Sequence, residues 1–226
     1  MTLQGLIDKN IDVWDKFIHH EFINLIKTSK LSQDAFKDYL IQDYLFLRHF
    51  SRFFALAMYK SRDFEDMNFF FNLLENLVNL EIFHHINYCD EAGVSIDDMD
   101  KTDEGVGTIA YSRYLIDVAN TYSIPEILVA TAPYSIGLYD IAQELSKTSS
   151  AYKSWIDMHK NESFINTARK IEQFLNEKIA DISYESEDGK VLNKVFRNAC
   201  IAEAGMFTQS MERFQPKSLF SRIFGK

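Results

Sequence analysis

The sequence predicts an all-α fold organised around one core, and three observations carry that expectation. Proline and glycine are scarce, 3 and 8 in 226 residues, well below ordinary shares of roughly 5% and 7%. Few positions can therefore break a helix or close a tight turn. Apolar residues recur at three- and four-residue intervals from end to end, the spacing that lines one face of a helix. Helix start and stop signals punctuate that pattern, among them Ser123-Ile-Pro-Glu126 and Gly93.

The first stripe, with Ile7, Ile11, Trp14, Phe17, Phe22 and Ile26, predicts a helix over 3–28. Ser32 caps a second over 32–59, striped by Phe36, Leu40, Tyr44, Leu47 and Phe50. A third covers 64–92, and Gly93 stops it. The acidic, apolar-poor stretch 95–107 reads as a solvated loop. Its Asp97, Asp98, Asp100 and Asp103 lack the glycine and terminal glutamate that a calcium loop requires at fixed offsets. A fourth helix is predicted over 107–121, and the Ser123–Glu126 capping box opens a fifth over 124–147. Pro133 should kink that helix and free a backbone carbonyl. Shorter helical pieces surround Trp155 and cover 164–182, Asp188-Gly189 marks a turn, and a last helix over 190–214 carries Glu203.

One helical domain over 1–215 is expected, followed by a basic amphipathic tail over 216–226. The tail aligns Leu219, Phe220, Ile223 and Phe224 beside Lys217, Arg222 and Lys226. Docking on its own protein is the expectation; a neighbouring subunit or a membrane surface are the alternatives. The net charge of −9, with scattered Lys and Arg, argues against nucleic acid as a partner. Two cysteines make no disulfide framework. No basic-then-apolar leader and no apolar run of roughly 20 residues occurs, so no membrane span and a cytoplasmic location are expected.

The chemistry-bearing residues are acids in apolar helices. Asp43 lies within Ile41-Gln-Asp-Tyr-Leu-Phe-Leu-Arg-His-Phe50, and Glu81 and Glu203 have similarly apolar surroundings. Burying a carboxylate is costly unless it is paired or hydrogen-bonded. Three inward acids among Tyr and Phe point to a pocket for a small nitrogen-rich molecule, or else to structural hydrogen-bond anchors. Glu81 and His84 share a helix face that could touch a metal, but a di-iron site also needs a His-x-x-x-Asp-x-x-His run on a later helix, and that run is absent. His84 and His85, about 100° apart on a helix, are not expected to face one point. Neither a metal nor an organic cofactor is expected; a heme ligand at His19 or His20 is conceivable, but a structural or exposed role is preferred for both.

Five motifs in order carry a family resemblance: His20-Glu-Phe22, Gln42-Asp43-Tyr-Leu-Phe46-Leu, Leu80-Glu81-Ile-Phe-His84, Ala110-Tyr111-Ser-Arg-Tyr-Leu115 and Cys200-Ile-Ala-Glu203-Ala-Gly-Met-Phe207. Over about 11–214 the chain resembles the TenA/THI-4 family, the thiaminase II group. That resemblance implies a heme-oxygenase-like multi-helix bundle, commonly homotetrameric, with a deep pocket for thiamine-derived aminopyrimidines. Typical members hydrolyse 4-amino-5-aminomethyl-2-methylpyrimidine to its hydroxymethyl form in thiamine salvage, and many also cleave thiamine. Carried over, Asp43 would grip the pyrimidine's amino group and ring nitrogen, Glu203 would act as general acid/base, Phe46 would stack on the ring, and Tyr111 would hydrogen-bond in the pocket, with Glu81 supporting it.

The chain departs from the family pattern at three pocket positions. Tyr134 stands where the family has its nucleophilic cysteine, Leu138 replaces a tyrosine with Tyr139 one position on, and His159 stands where another tyrosine is expected. A phenol is a poor nucleophile beside a thiol. Three explanations remain open: Cys200 or Cys89 supplies a thiol, with Glu203 three residues from Cys200 as its base; Glu203 or Asp43 activates water with no covalent step; or chemistry is lost and the pocket only binds. The expected function is hydrolysis of aminopyrimidines by water activation. Asp43 and Glu203 act, while Phe46, Tyr111, Tyr134, Tyr139, His159 and Glu81 line the site. The alternative is a non-catalytic small-molecule-binding protein.

Overall fold

In the computed structural model, which describes residues 1–214, the predicted first helix is three: α1 (Leu3–Lys9), α2 (Ile11–Ile18) and α3 (Glu21–Lys27). Two side chains make the breaks. The buried Asn10 amide donates to the Leu6 carbonyl at 2.9 Å and to Asn193 Oδ1 at 2.8 Å, pulling the chain out of helical register. His20 then caps α3 by accepting the Phe22 N–H on Nδ1 at 3.2 Å.

Ser32 caps the 28-residue helix α4 (Gln33–Lys60) as expected, its hydroxyl accepting the Ala35 N–H. The third predicted rod is α5 (Phe64–Asn76), a π turn over Leu77–Glu81, and α6 (Ile82–Glu91). Gly93 follows it at φ +75°, a left-handed conformation that glycine adopts without strain. The predicted loop instead holds α7 (Ile96–Lys101), because Ser95 and Asp98 form a reciprocal capping box. Its other acids serve as ion-pair partners, Asp97 to Lys101 at 2.6 Å and Asp100 to Arg48 at 3.0 Å.

Helix α8 spans Val106–Thr121. The Ser123/Glu126 box opens α9 (Ile124–Ala132), and Pro133 begins a second π turn over Pro133–Gly137 before α10 (Leu138–Leu145). Helices α11 (Lys153–Met158), α12 (Glu162–Ile179) and α13 (Glu187–Phe214) complete the described chain. Asp188-Gly189, expected as a turn, lies in the first turn of α13. A Cβ on Gly189 would stand 2.0 Å from the Ser183 carbonyl oxygen, so glycine is required there by close approach. The tail at 216–226 lies outside the described residues.

Helices α4, α8 and α13 pack against one another through the middle of the molecule. Aromatic rings fill the core beside them, with Phe22 stacked on Phe207 at 5.0 Å. Helix α8 lacks a side-chain cap of its own, and two glutamines from its neighbours supply one. Gln42 of α4 accepts from Gly105 N–H and the Thr108 hydroxyl, and Gln209 of α13 accepts from Gly107 N–H at 2.9 Å. These satisfy N–H groups that a helix start leaves unpaired. Among the described residues, no helix is long and apolar enough to cross a membrane.

Helices α8 and α13 approach closely at Gly107, where a Cβ would lie 2.5 Å from the Gly205 carbonyl oxygen, whereas a Cβ on Gly205 meets nothing within 4 Å. Gly107→Ala should therefore destabilise by about 1–3 kcal/mol. Gly205→Ala should be neutral or stabilising by up to about 1 kcal/mol, from helix propensity. Denaturant melts of the two variants check the contrast.

Candidate active site

Asp43 projects from the middle of α4 into aromatic surroundings and is 4% exposed. Its Oδ2 lies 3.4 Å from Nδ1 of His85 on α6. His85 Nε2 lies 2.9 Å from the Leu40 carbonyl and must carry the proton it donates there. In the neutral ring, Nδ1 then presents a lone pair to Asp43. Burial pushes His85 down to about 4 and Asp43 up to about 7. Near neutrality the contact is thus a neutral imidazole facing a carboxyl group poised to titrate, rather than a fixed ion pair.

Glu81 closes the first π turn and Tyr134 belongs to the second. The Tyr134 hydroxyl donates to Glu81 Oε1 at 2.5 Å, tying the two turns together. Burial raises Glu81 to about 7; the Tyr134 bond opposes that shift and the nearby Asp43 charge adds to it. Burial pushes the Tyr134 phenol upward, and the Glu81 and Asp43 charges push it further. His159, at the end of α11, places Nδ1 2.9 Å from the Trp155 carbonyl, and burial pushes it down to about 4.

These side chains meet at one cavity of about 640 Å³, lined by Asp43, Glu81, His85, Tyr134 and His159, with Glu91 and Asp157 also on its wall. His84 lines it as well, so the two adjacent histidines share one cavity despite their angular separation. His84 is exposed, whereas His85 is buried. Glu203, Tyr111, Phe46 and Tyr139 are not on its wall. Phe46 and Tyr111 stack on each other at 4.8 Å, and Phe46 lies 5.5 Å from the Tyr134 ring. Glu203 is 3% exposed; its Oε2 and the Tyr111 hydroxyl are both buried without a hydrogen-bond partner. They are near enough to influence each other's ionisation. Burial first, then the Asp43 charge, pushes Glu203 up to about 8. Tyr139 is half-buried on α10.

The cysteines are held as thiols. Burial raises Cys89 to about 12, and burial followed by the Glu203 charge raises Cys200 further still. A base that titrates near 8 leaves such a thiol protonated. Sequence reasoning passed over Tyr39 and Trp155. Tyr39 lies one helical turn before Asp43 and feels both the Asp43 and Glu203 charges; that spacing was the available signal. Trp155 Nε1 is buried without a partner, and its ring packs 4.6 Å from His159. Among the described residues, the acids near enough to share an ion are Asp63, Glu65 and Asp66. Asp63 caps α5 and Lys178 sits 2.6 Å from Asp66, so structural partners already engage that group.

The TENA/THI-4/PQQC family matches residues 8–213. The chain belongs to that family. A Haemophilus influenzae relative described as uncharacterized is 35% identical over 178 residues, covering 76% of this chain and 82% of its own. The aminopyrimidine aminohydrolase of Halalkalibacterium halodurans is 28% identical over 197 residues, covering 85% and 87%. A Silicibacter structure described as a TenA family transcription regulator superimposes with TM-score 0.88 at 26% identity, over 94% and 96% of the two chains. A Shewanella denitrificans domain of heme oxygenase-like fold matches at TM-score 0.74 and 16% identity over 100% and 97%, a likeness of fold alone. This TenA-family chain thus has the heme-oxygenase-like helical bundle that the motifs imply.

The site's ionisation gives a signed pH dependence. Between about pH 4.5 and pH 7–8, folded Asp43, Glu81 and Glu203 keep protons that the unfolded chain releases, so stability falls as pH rises there. His85 and His159 act oppositely: the unfolded rings bind protons below 6.5, so their contribution grows from about pH 4 to 6.5 and then levels off. Above pH 6.5 the acids alone remain. The thermal midpoint should fall from pH 6.5 to about 8, and that slope should flatten in Asp43→Asn and Glu203→Gln.

Proposed function

We propose that this TenA-family chain hydrolyses thiamine-derived aminopyrimidines, with an aminomethyl or formylaminomethyl side arm, in thiamine salvage. The observation that carries the reading is Asp43, a buried carboxyl that titrates near neutrality and opens onto a ligand-sized cavity. A protonated carboxyl can donate to a ring nitrogen while its other oxygen accepts from the adjacent exocyclic amine, a two-point match for an aminopyrimidine edge. Proton sharing with the ring makes it an electron sink, which weakens the side arm's bond to its leaving amine. Water adds at the exocyclic carbon, its proton passes to a carboxylate, and the amine leaves with a proton from an acid. Glu203 is the proposed acid/base and Glu81 the supporting acid, with Tyr134 and His159 on the cavity wall and Phe46, Tyr111 and Tyr139 off it.

No covalent enzyme intermediate enters this reading, because Tyr134 occupies the cysteine's position and both thiols are held protonated. The same reading extends to a cytoplasmic homo-oligomer, as the family resemblance implies. A second reading, binding without turnover, is favoured by one observation: Glu203 does not reach the cavity wall.

Turnover of the aminomethyl and formylaminomethyl pyrimidines and of thiamine decides between them. The enzyme reading expects turnover that survives Cys89→Ser with Cys200→Ser. Asp43→Asn should weaken pyrimidine binding by about 100-fold with helical content intact, and Glu203→Gln should lower kcat by about 100-fold or more with little change in KM. Binding without turnover would establish the second reading; affinity unchanged in Asp43→Asn would remove Asp43 from the site.

A further inference from the structure

The charged groups on the cavity wall have one sign. Asp43, Glu81, Glu91 and Asp157 line it, and among the described residues no lysine or arginine does. Lys153, one turn before Asp157 on α11, is ion-paired to that acid. The buried histidines add to this bias through their backbone bonds. His85 spends its N–H on the Leu40 carbonyl and His159 spends its own on the Trp155 carbonyl. The second nitrogen of each neutral ring is therefore a hydrogen-bond acceptor, that of His85 facing Asp43. His159 is 2% exposed and makes no hydrogen bond through Nε2, which is left for the cavity. The Tyr134 hydroxyl, a potential donor, is taken by Glu81.

Amides and hydroxyls such as Asn87, Ser154 and Tyr88 on the same wall carry no charge, so its carboxyl groups and the bare His159 nitrogen favour N–H donors and positive charge. A phosphate dianion would be desolvated against like charges with no cationic partner to meet it. We propose that the cavity selects cationic, donor-rich aromatic ligands and rejects their phosphate esters, with the unprotonated nitrogen of His159 as the specificity-determining acceptor. This rests on the reading above only in placing the ring at Asp43. At about 640 Å³ the cavity is of drug-sized-ligand class, with room beyond one pyrimidine for a second positively charged group.

The test uses benzamidinium and phenyl phosphate as probes, with affinities from calorimetry on the full chain. Benzamidinium should bind, and His159→Phe should weaken it by about 10-fold, the loss of one charge-assisted bond. Phenyl phosphate should show no measurable binding until the exposed wall acids are reversed in Glu91→Lys with Asp157→Lys, which should admit it. Phenyl phosphate binding the unaltered chain as tightly as benzamidinium, or no benzamidinium binding up to millimolar concentration, overturns the proposal. So does unchanged benzamidinium affinity in folded His159→Phe. Benzamidinium binding as expected, while aminopyrimidines neither bind nor turn over, sinks the hydrolase reading and leaves this one standing.

Discussion

A carboxyl group withdrawn from water midway along a 28-residue helix must stay neutral or be met by a partner, and among the described residues Asp43 is paired with neither a lysine nor an arginine. What surrounds it instead is a set of groups that share few protons among many acceptors. His85 turns its lone pair toward it, while Tyr39, Glu81, Tyr134 and Glu203 all feel its charge. Ionising Asp43 makes each neighbouring acid harder to ionise, so the interior behaves as one titrating system whose occupancy a donor-bearing ligand would reset.

The same stretch of α4 also sets the geometry around that system. Gln42, next to Asp43, caps α8, and Gln209 of α13 closes the cap from the other side. The helices that carry Asp43, Tyr111 and Glu203 are thereby pinned to one another at a single buried polar knot. The orphaned Glu203 and Tyr111 oxygens persist next to a fully satisfied clamp.

Much of the fold is legible in the sequence because its signals are local. The Ser32 cap, the Ser123/Glu126 box and the stop at Gly93 each act within one turn of the residue that encodes them. The inward placement of Asp43 and Glu203 follows equally from their apolar neighbours. The breaks at Asn10 and His20 were hidden, because the apolar stripe continues through them and only a side-chain bond interrupts the backbone. The short helix α7 was hidden for the opposite reason: its capping box sits in a segment with little apolar periodicity. The site was half legible. Helical angles separate His84 from His85, yet both reach the cavity, since a wide opening collects side chains over a broad arc. No spacing rule shows that Phe46 and Tyr111 stack together and leave Glu203 off the cavity wall.

The Tyr134–Glu81 bond joins two π turns, each of which carries one more residue per turn than the α-helix around it. Residue 134 is therefore tied to the backbone of a helix 53 positions away in sequence. A cysteine at 134 would remove the phenol's donation to Glu81, and a thiol's shorter reach cannot replace it. Whatever stands at residue 134 therefore decides whether Glu81 keeps the hydrogen bond that opposes its neutralisation.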